Sequence, residues 1–145
     1  MTFKLAVMIG IGMSAAGICR TASAQEKSQW DGVYTQDQAG RGQALFELKC
    51  VNCHEHDLSG TGMGPCLACD EFRAKWNGLT LGQLFDRIRQ TEPQDNPGSL
   101  NLQMTADILS FMLSTMGAPA GPTDLPTQSD VLGTIKYIAT NPNSN

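Results

Sequence analysis

Cys50-Val51-Asn52-Cys53-His54 is the stretch of this 145-residue chain that decides its fold. Two thiols at C-x-x-C spacing can add to the two vinyl groups of one porphyrin, and the imidazole beside them can then bind the iron from the proximal side. The pentapeptide therefore predicts a covalently attached haem. A bare C-x-x-C also occurs in redox enzymes and zinc sites, so the surrounding sequence has to decide between these alternatives.

The first 24 residues have the pattern of an export signal. Lys4 precedes an apolar run over residues 5–18, and residues 22–24 read Ala-Ser-Ala, the small-x-small form of a signal-peptidase site. The apolar run is shorter than the roughly 20 residues that span a bilayer, which argues against a membrane anchor. We therefore expect cleavage after Ala24 and a periplasmic mature protein without a transmembrane anchor.

Length and charge restrict what the mature chain can do. Cleavage would leave 121 residues, enough for one domain, and a core of this size benefits from a large apolar cofactor. Of the 10 Lys and Arg residues, Lys4 and Arg20 lie in the signal, so 8 basic side chains remain against 14 acidic ones and the net charge is −6. Nucleic-acid binding is therefore not expected, whereas an acidic protein can be steered toward a basic patch on a redox partner.

Hydrophobic spacing predicts an all-α domain over residues 35–141, preceded by a polar and flexible segment at 25–34. Four segments have helical periodicity, and they run from Thr35 toward Cys50, from Thr80 to near Pro93, from Asn101 to Met116 and from Ser129 to Thr140. The first two open with capping boxes that read T-x-x-Q. Gly42 on the inward face of the first helix predicts a close backbone contact, which we expect with the last helix.

Five strings occur in the order known from one protein family. They are G-V-Y-T-x-x-Q-A-x-R-G at 32–42, C-V-N-C-H at 50–54, D-L-S-G-T-G-M-G-P at 57–65, W-N-G-L-T-L-G-Q-L-F at 76–85 and N-P-G-S-L at 96–100. From Gly32 to Ala139 the chain thereby resembles the class I cytochrome c family, and within it the small periplasmic cytochromes associated with quinoprotein dehydrogenases. The resemblance implies an all-α cytochrome c fold of about four to five helices around one covalently bound haem c.

The function implied by the resemblance is electron transfer without substrate turnover. The protein would pass single electrons between redox partners such as a dehydrogenase or a terminal oxidase, through a haem with one exposed edge. Cys50 and Cys53 would form the two thioethers, and His54 would be the proximal iron ligand.

Three further positions match residues that contact the haem in this family. Pro65 would accept a hydrogen bond from the other ring N–H of His54, which fixes the tautomer of the ligand. Leu67 would pack on the haem, and Trp76 would lie near a propionate. Judged from the pattern alone, a single tryptophan is more often a simple core residue.

The loop after the helix that ends near Pro93 departs from the family. Relatives read T-M-P before a similar N-P-G-S-L, and that methionine binds the iron from the distal side, whereas this chain reads T-E-P with Glu92 at the position. A carboxylate favours ferric iron and binds it weakly. Met104 is the spare candidate for the distal ligand. An open distal site would instead make the protein a haem enzyme or ligand sensor, with Glu92 as an acid–base group.

A second departure is the additional C-x-x-C formed by Cys66 and Cys69, where relatives have small residues. Asp70 rather than His follows, so no second haem is expected. In an oxidising periplasm the two cysteines are expected to form a local disulfide, and a pair that switches between thiol and disulfide beside the haem is the alternative. The full spacing C-x2-C-x12-C-x2-C also resembles a zinc module, which export and the histidine after Cys53 argue against.

Overall fold

The computed structural model describes residues 26–142 and 144, and this part of the chain is all-α, which confirms the predicted fold class. Its elements are a 3-10 helix at Gln29–Asp31 and the α-helices α1 Gln36–Lys49, α2 Val51–His54, α3 Asp70–Trp76, α4 Leu81–Thr91, α5 Leu102–Thr115 and α6 Ser129–Leu132. The described residues form isolated bridges but no strand. None of their helices is long and apolar enough to cross a membrane. The predicted signal at 1–24 lies outside the described residues.

Two of the three long helices, α1 and α4, begin at the N-cap residues that the sequence predicts. The Thr35 hydroxyl accepts a hydrogen bond from the backbone N–H of Gln38 at 3.1 Å. Thr80 and Gln83 form a complete capping box at the start of α4. Each such N-cap stabilises its helix by about 1 kcal/mol. The sequence predicts about four to five helices, and the additional ones are short turns that hydrophobic periodicity does not detect.

Gly42 does mark a close backbone contact, but the predicted partner is wrong. A Cβ at this position would collide with the backbone carbonyl of Asp107 in α5. Helices α1 and α5 therefore cross at Gly42 with their backbones touching, and they form the centre of the core. The glycine that the C-terminal segment approaches is Gly82 in α4, where a Cβ would meet the backbone oxygen of Ser129.

The predicted C-terminal helix is wrong after its first turn. α6 ends at Leu132, and the chain continues as an extended segment in which the buried side chains alternate as Ile135 and Tyr137. The backbone N–H of Leu81 donates to Ile135 and the N–H of Tyr137 donates to Leu79, each at 2.8 Å. Gly133 and the β-branched residues after it favour extended backbone over helix, which outweighs the helical spacing of the apolar residues.

Part of the segment 25–34, for which the sequence predicts a polar and flexible chain, is packed against the rest of the described structure. Ser28, Gln29, Val33 and Tyr34 are buried. The amide of Gln29 pairs with the backbone of Ile138, since its nitrogen donates to the carbonyl at 2.6 Å and its oxygen accepts the N–H at 2.9 Å. Polar residues signal a loose segment only when their groups face water, and here a buried amide completes the backbone hydrogen bonds of the extended C-terminal segment.

Candidate functional site

Cys50, Cys53 and His54 lie on one helical turn. The N–H of Cys50 donates to Phe46 at 2.8 Å and so ends α1, and the Cys50 carbonyl accepts the N–H of Cys53 at 3.1 Å and of His54 at 3.0 Å. All three side chains line the same cavity. Burial raises the pKa of the Cys50 thiol to about 11, and the charge of Glu92 adds to the rise, so this thiol is protonated at neutral pH.

The cavity has a volume of about 710 Å³, within the range of roughly 300–1,000 Å³ that cofactor and ligand sites occupy. Its walls are formed by α1, α3, α4, α5 and the loop that follows α2. The apolar lining consists of Phe46, Leu67, Phe72, Trp76, Leu84, Ile88, Ile108 and Met112. Helices of this small domain thus leave an apolar space beside the two cysteines and the histidine, which fits a large apolar group.

The imidazole of His54 is held by one hydrogen bond. The side chain is only 8% exposed, and its Nδ1 lies 2.8 Å from the carbonyl oxygen of Pro65. Because a carbonyl only accepts, Nδ1 carries the proton and Nε2 is the ring nitrogen left for a metal. The sequence-predicted contact between these two residues is therefore present in the fold.

Backbone hydrogen bonds hold the loop that presents Pro65. The N–H of Gly60 donates to the carbonyl of His54 at 3.0 Å, and the N–H of Leu67 donates to Leu58 at 2.8 Å. The loop is therefore closed at both ends independently of any side chain. Leu67 lines the cavity at the second of these contacts.

Two glycines of this loop allow it to approach the cysteine turn, and sequence reasoning missed both. A Cβ at Gly64 would lie 2.7 Å from the carbonyl oxygen of Cys53, closer than side chains pack. Gly60 has φ +80°, in the left-handed region, and a Cβ there would lie 2.5 Å from the backbone nitrogen of Cys66. The signal was available in the G-T-G-M-G run, since closely spaced glycines indicate a tight backbone approach.

Trp76 closes one wall of the cavity at the end of α3. It is buried, its ring centroid lies 6.0 Å from that of Phe72, and the ammonium group of Lys75 lies 5.9 Å from the centroid of the Trp76 ring. The ammonium over the ring face is a cation–π contact. The tryptophan thus belongs to both the core and the cavity wall.

Glu92 is the C-cap of α4 and directly follows its last residue, Thr91. Its side chain is half-buried and lines the cavity. Met104 is not among the lining residues, so the structure does not support it as the spare ligand. Met104 lies in the first turn of α5, on the same helix face as Ile108 and Met112. It precedes Ile108, the first α5 residue of the lining, by one helical turn.

Met63 and Met112 are the methionines that do line the cavity, and sequence reasoning assigned neither to it. Met63 is 69% exposed and lies in the loop on the His54 side. Met112 is 2% exposed and lies in α5. A buried methionine at helical spacing has no sequence signal that distinguishes a cavity wall from ordinary core.

The charged side chains of the lining have mixed signs. They are Lys49, Lys75, Arg87, Glu71, Glu92 and Asp95. None was predicted except Glu92, because isolated charges in helices and loops carry no positional signal. The three cations are suited to bind carboxylates of a group held in the cavity.

Cys66 and Cys69 are joined by a disulfide, and both line the cavity. Both residues are half-buried. Their sulfurs are bonded to each other and are not available as zinc thiolates. No three His, Cys, Asp or Glu side chains within residues 26–142 and 144 are grouped as a metal site.

His56, the second histidine, lies away from the cavity lining. Its Nδ1 lies 2.8 Å from the carboxylate of Glu47, and its side chain is 70% exposed. The hydrogen bond to Glu47 raises the pKa of His56. This residue therefore lies on the surface.

The chain is similar to one known protein in sequence and to one solved structure. No family model matches the chain. Cytochrome c-551 of Bacillus subtilis is 30% identical over 96 residues, which cover 65% of this chain and 83% of the relative. A chain in the crystal structure of the sulfane dehydrogenase SoxCD from Paracoccus pantotrophus superposes with a TM-score of 0.45 and 23% identity, over 76% of this chain and 62% of that one.

Proposed function

Because this chain belongs to the class I cytochrome c family, we propose that it is a periplasmic mono-haem cytochrome that transfers single electrons between redox proteins. The observation that carries the proposal is that Cys50, Cys53 and His54 share one turn and line one apolar cavity. Haem bound there supplies one-electron Fe(III)/Fe(II) chemistry. Export rests on the signal pattern of residues 1–24.

The residues present fit a covalently attached haem. Cys50 and Cys53 would supply two thiols for thioether bonds, and His54 would offer Nε2 to the iron because its Nδ1 donates to Pro65. That donation strengthens the imidazole as a ligand and holds its ring orientation. A backbone carbonyl thus orients the imidazole of the proposed proximal ligand.

The walls of the cavity would exclude water from the haem. Phe46, Phe72 and Ile108 are all buried and line it. A water-poor site lowers the reorganisation that accompanies a change of charge and raises the strength of every electrostatic contact inside it. Lys49, Lys75 and Arg87 at the lining are the cations that would bind the haem carboxylates.

Partners are proposed to be redox proteins such as a dehydrogenase or a terminal oxidase. Met63 offers exposed apolar surface where it lines the cavity, and Leu48 in α1 is 81% exposed. Exposed apolar residues beside a redox site are suited to brief contact with another protein. The net charge of −6 in the mature chain favours a partner with a basic patch.

A second candidate function depends on Glu92. The carboxylate lines the cavity at the position where relatives carry a methionine. A weak oxygen ligand would leave the ferric iron accessible, and the protein would then be a haem enzyme or ligand sensor with Glu92 as its acid–base group. Met112 is the buried methionine of the same lining, and its sulfur would oppose this possibility if it bound the iron.

The absorption spectrum of the purified protein tests the proposal. A ferrous spectrum with the sharp bands of haem c, and a reversible one-electron change on oxidation, is the expected result. A protein purified from a periplasmic fraction without any haem absorption would contradict it. High-spin ferric bands, or a ready shift on adding cyanide or azide, would favour the second candidate over a closed electron carrier.

A further inference from the structure

The disulfide between Cys66 and Cys69 lies at the cavity that also contains Cys50, Cys53 and His54. Both sulfurs belong to residues that line it, and both residues are half-buried rather than sealed in the core. If Cys50 and Cys53 hold the haem, these are the remaining cysteines of the part of the chain that the structure describes.

The pair is connected to the proximal ligand through the backbone. Cys66 directly follows Pro65, whose carbonyl accepts the Nδ1 proton of His54 at 2.8 Å. Cys69 precedes α3, which contributes Trp76 to the cavity wall. The disulfide therefore joins the residue that follows Pro65 to the N-cap of α3.

A purely structural role explains this disulfide poorly. The bond spans a sequence separation of three residues, so it restricts the unfolded chain much less than a disulfide that closes a long loop. The loop before it is already closed by the backbone contacts of Gly60 with His54 and of Leu67 with Leu58. What the S–S bond adds is a covalent link between Cys66, the residue after Pro65, and Cys69 at the N-cap of α3.

We propose that Cys66 and Cys69 form a reversible switch that sets the reduction potential of the haem iron, and that a protein dithiol of the thioredoxin class reduces it. The inference rests on the proposed function of the site. A thiolate of the donor attacks one sulfur of the pair, so the S–S bond breaks, one cysteine leaves as a thiolate and the other is held in a mixed disulfide with the donor. The second donor thiolate then attacks the donor sulfur of that mixed disulfide and displaces the cysteine still bound to it. Two electrons and two protons pass to the pair, and the donor ends as a disulfide.

Opening the bond changes the ligand field at the iron through His54. With the S–S bond broken, the peptide between Pro65 and Cys66 can move, and its carbonyl accepts the Nδ1 proton less well. An imidazole with a weaker hydrogen bond is a poorer electron donor to the metal. Ferric iron is then less stabilised, so the potential rises when the pair is reduced.

The test compares the iron potential with the pair closed and open. The holoprotein is first characterised by its haem spectrum, which does not depend on the pair. It is then reduced with dithiothreitol, alkylated with iodoacetamide and reoxidised with ferricyanide, and mass measurement confirms two added groups. We expect the equilibrium constant for electron exchange with a fixed mediator to shift toward ferrous protein by about threefold or more.

Variants separate the switch from a general disturbance of the loop. The double variant Cys66→Ser/Cys69→Ser should match the alkylated protein and should not respond to dithiothreitol. Gly62→Ala is the matched loop control, because a Cβ at Gly62 meets no atom within 4 Å. It should keep the potential of the unmodified protein and the response to reduction.

Four results would overturn the inference. A potential that is the same in closed, alkylated and double-serine protein would show that the pair does not tune the iron. Two free thiols in protein isolated from the periplasm, or a disulfide that thioredoxin leaves intact while dithiothreitol reduces it, would contradict the switch. A protein without haem would overturn the proposed function together with this inference, whereas a haem protein with an unmoved potential would overturn this inference alone.

Discussion

The Nδ1–H of His54 donates to the carbonyl oxygen of Pro65 across 2.8 Å, and this contact joins the cysteine turn to the loop that faces it. A histidine held in this way has one tautomer and one ring orientation. The contact also fixes which ring nitrogen is available to a metal. The geometry of the proximal side is therefore present in the protein fold itself.

His54→Ala should prevent formation of a stable haem protein. The side chain lines the cavity and is the one imidazole there, so its removal takes away the proposed proximal ligand. The visible spectrum of the periplasmic fraction checks this prediction. His56→Ala is the matched control, since His56 lies on the surface against Glu47, and its spectrum should be unchanged. An unaltered spectrum for His54→Ala would show that another residue ligates the iron.

Gly64→Ala should lower both stability and haem incorporation. The new Cβ would lie 2.7 Å from the carbonyl oxygen of Cys53, so the loop or the cysteine turn must move. Overpacking of this kind costs about 1–3 kcal/mol. Denaturant unfolding and the haem-to-protein absorbance ratio measure the two effects. Gly62→Ala in the same loop has open space around it and should leave both measurements unaltered.

Gly42→Ala tests the crossing of α1 and α5. A methyl group at Gly42 would collide with the Asp107 backbone. We therefore expect the free energy of unfolding to fall by about 1–3 kcal/mol. Gly40 lies in the same helix, and a methyl group there would meet no atom within 4 Å, so Gly40→Ala should stabilise the protein by roughly 0.5–1 kcal/mol. Equal stability of the two variants would show that the helices do not touch there.

The sequence predicts those parts of the fold that depend on local signals. Thr35 and Thr80 mark helix starts because a hydroxyl caps a helix from a fixed position in the chain. The cysteine turn is predicted because its chemistry requires that spacing. The contact of His54 with Pro65 was predicted from the family resemblance.

The parts that sequence reasoning did not predict depend on long-range packing. A glycine at position 42 indicates a close backbone contact but does not indicate which element makes it. The contact is with Asp107 in α5 and not with the last helix. The alternation of Ile135 and Tyr137 is visible in the sequence, but helical spacing of neighbouring apolar residues was an equally good match. Met112 lines the cavity only because of how α5 is rotated about its axis.

Glu92→Met should raise the reduction potential and give a low-spin ferric spectrum. A thioether favours ferrous iron, whereas a carboxylate stabilises the additional positive charge of ferric iron. Redox titration and the near-infrared methionine–iron band measure the two effects. Glu92→Gln removes the charge without adding sulfur and should raise the potential without producing that band.

A methionine–iron band in the unmodified protein would contradict the distal assignment of Glu92. The buried sulfur of Met112 would then be the first residue to examine, because it lines the cavity. Met112→Leu should remove such a band if this sulfur is the ligand. The second candidate function would lose its basis in that case.

Covalent attachment of one haem through Cys50 and Cys53 is the central claim. Haem staining after denaturing electrophoresis tests it most directly, because only a covalently held haem stays with an unfolded chain. The unmodified protein should give a stained band at the position of the polypeptide, and the double variant Cys50→Ala/Cys53→Ala should give none. A chain that loses all its haem under these conditions, or a double variant that stains as strongly as the unmodified protein, would contradict the claim.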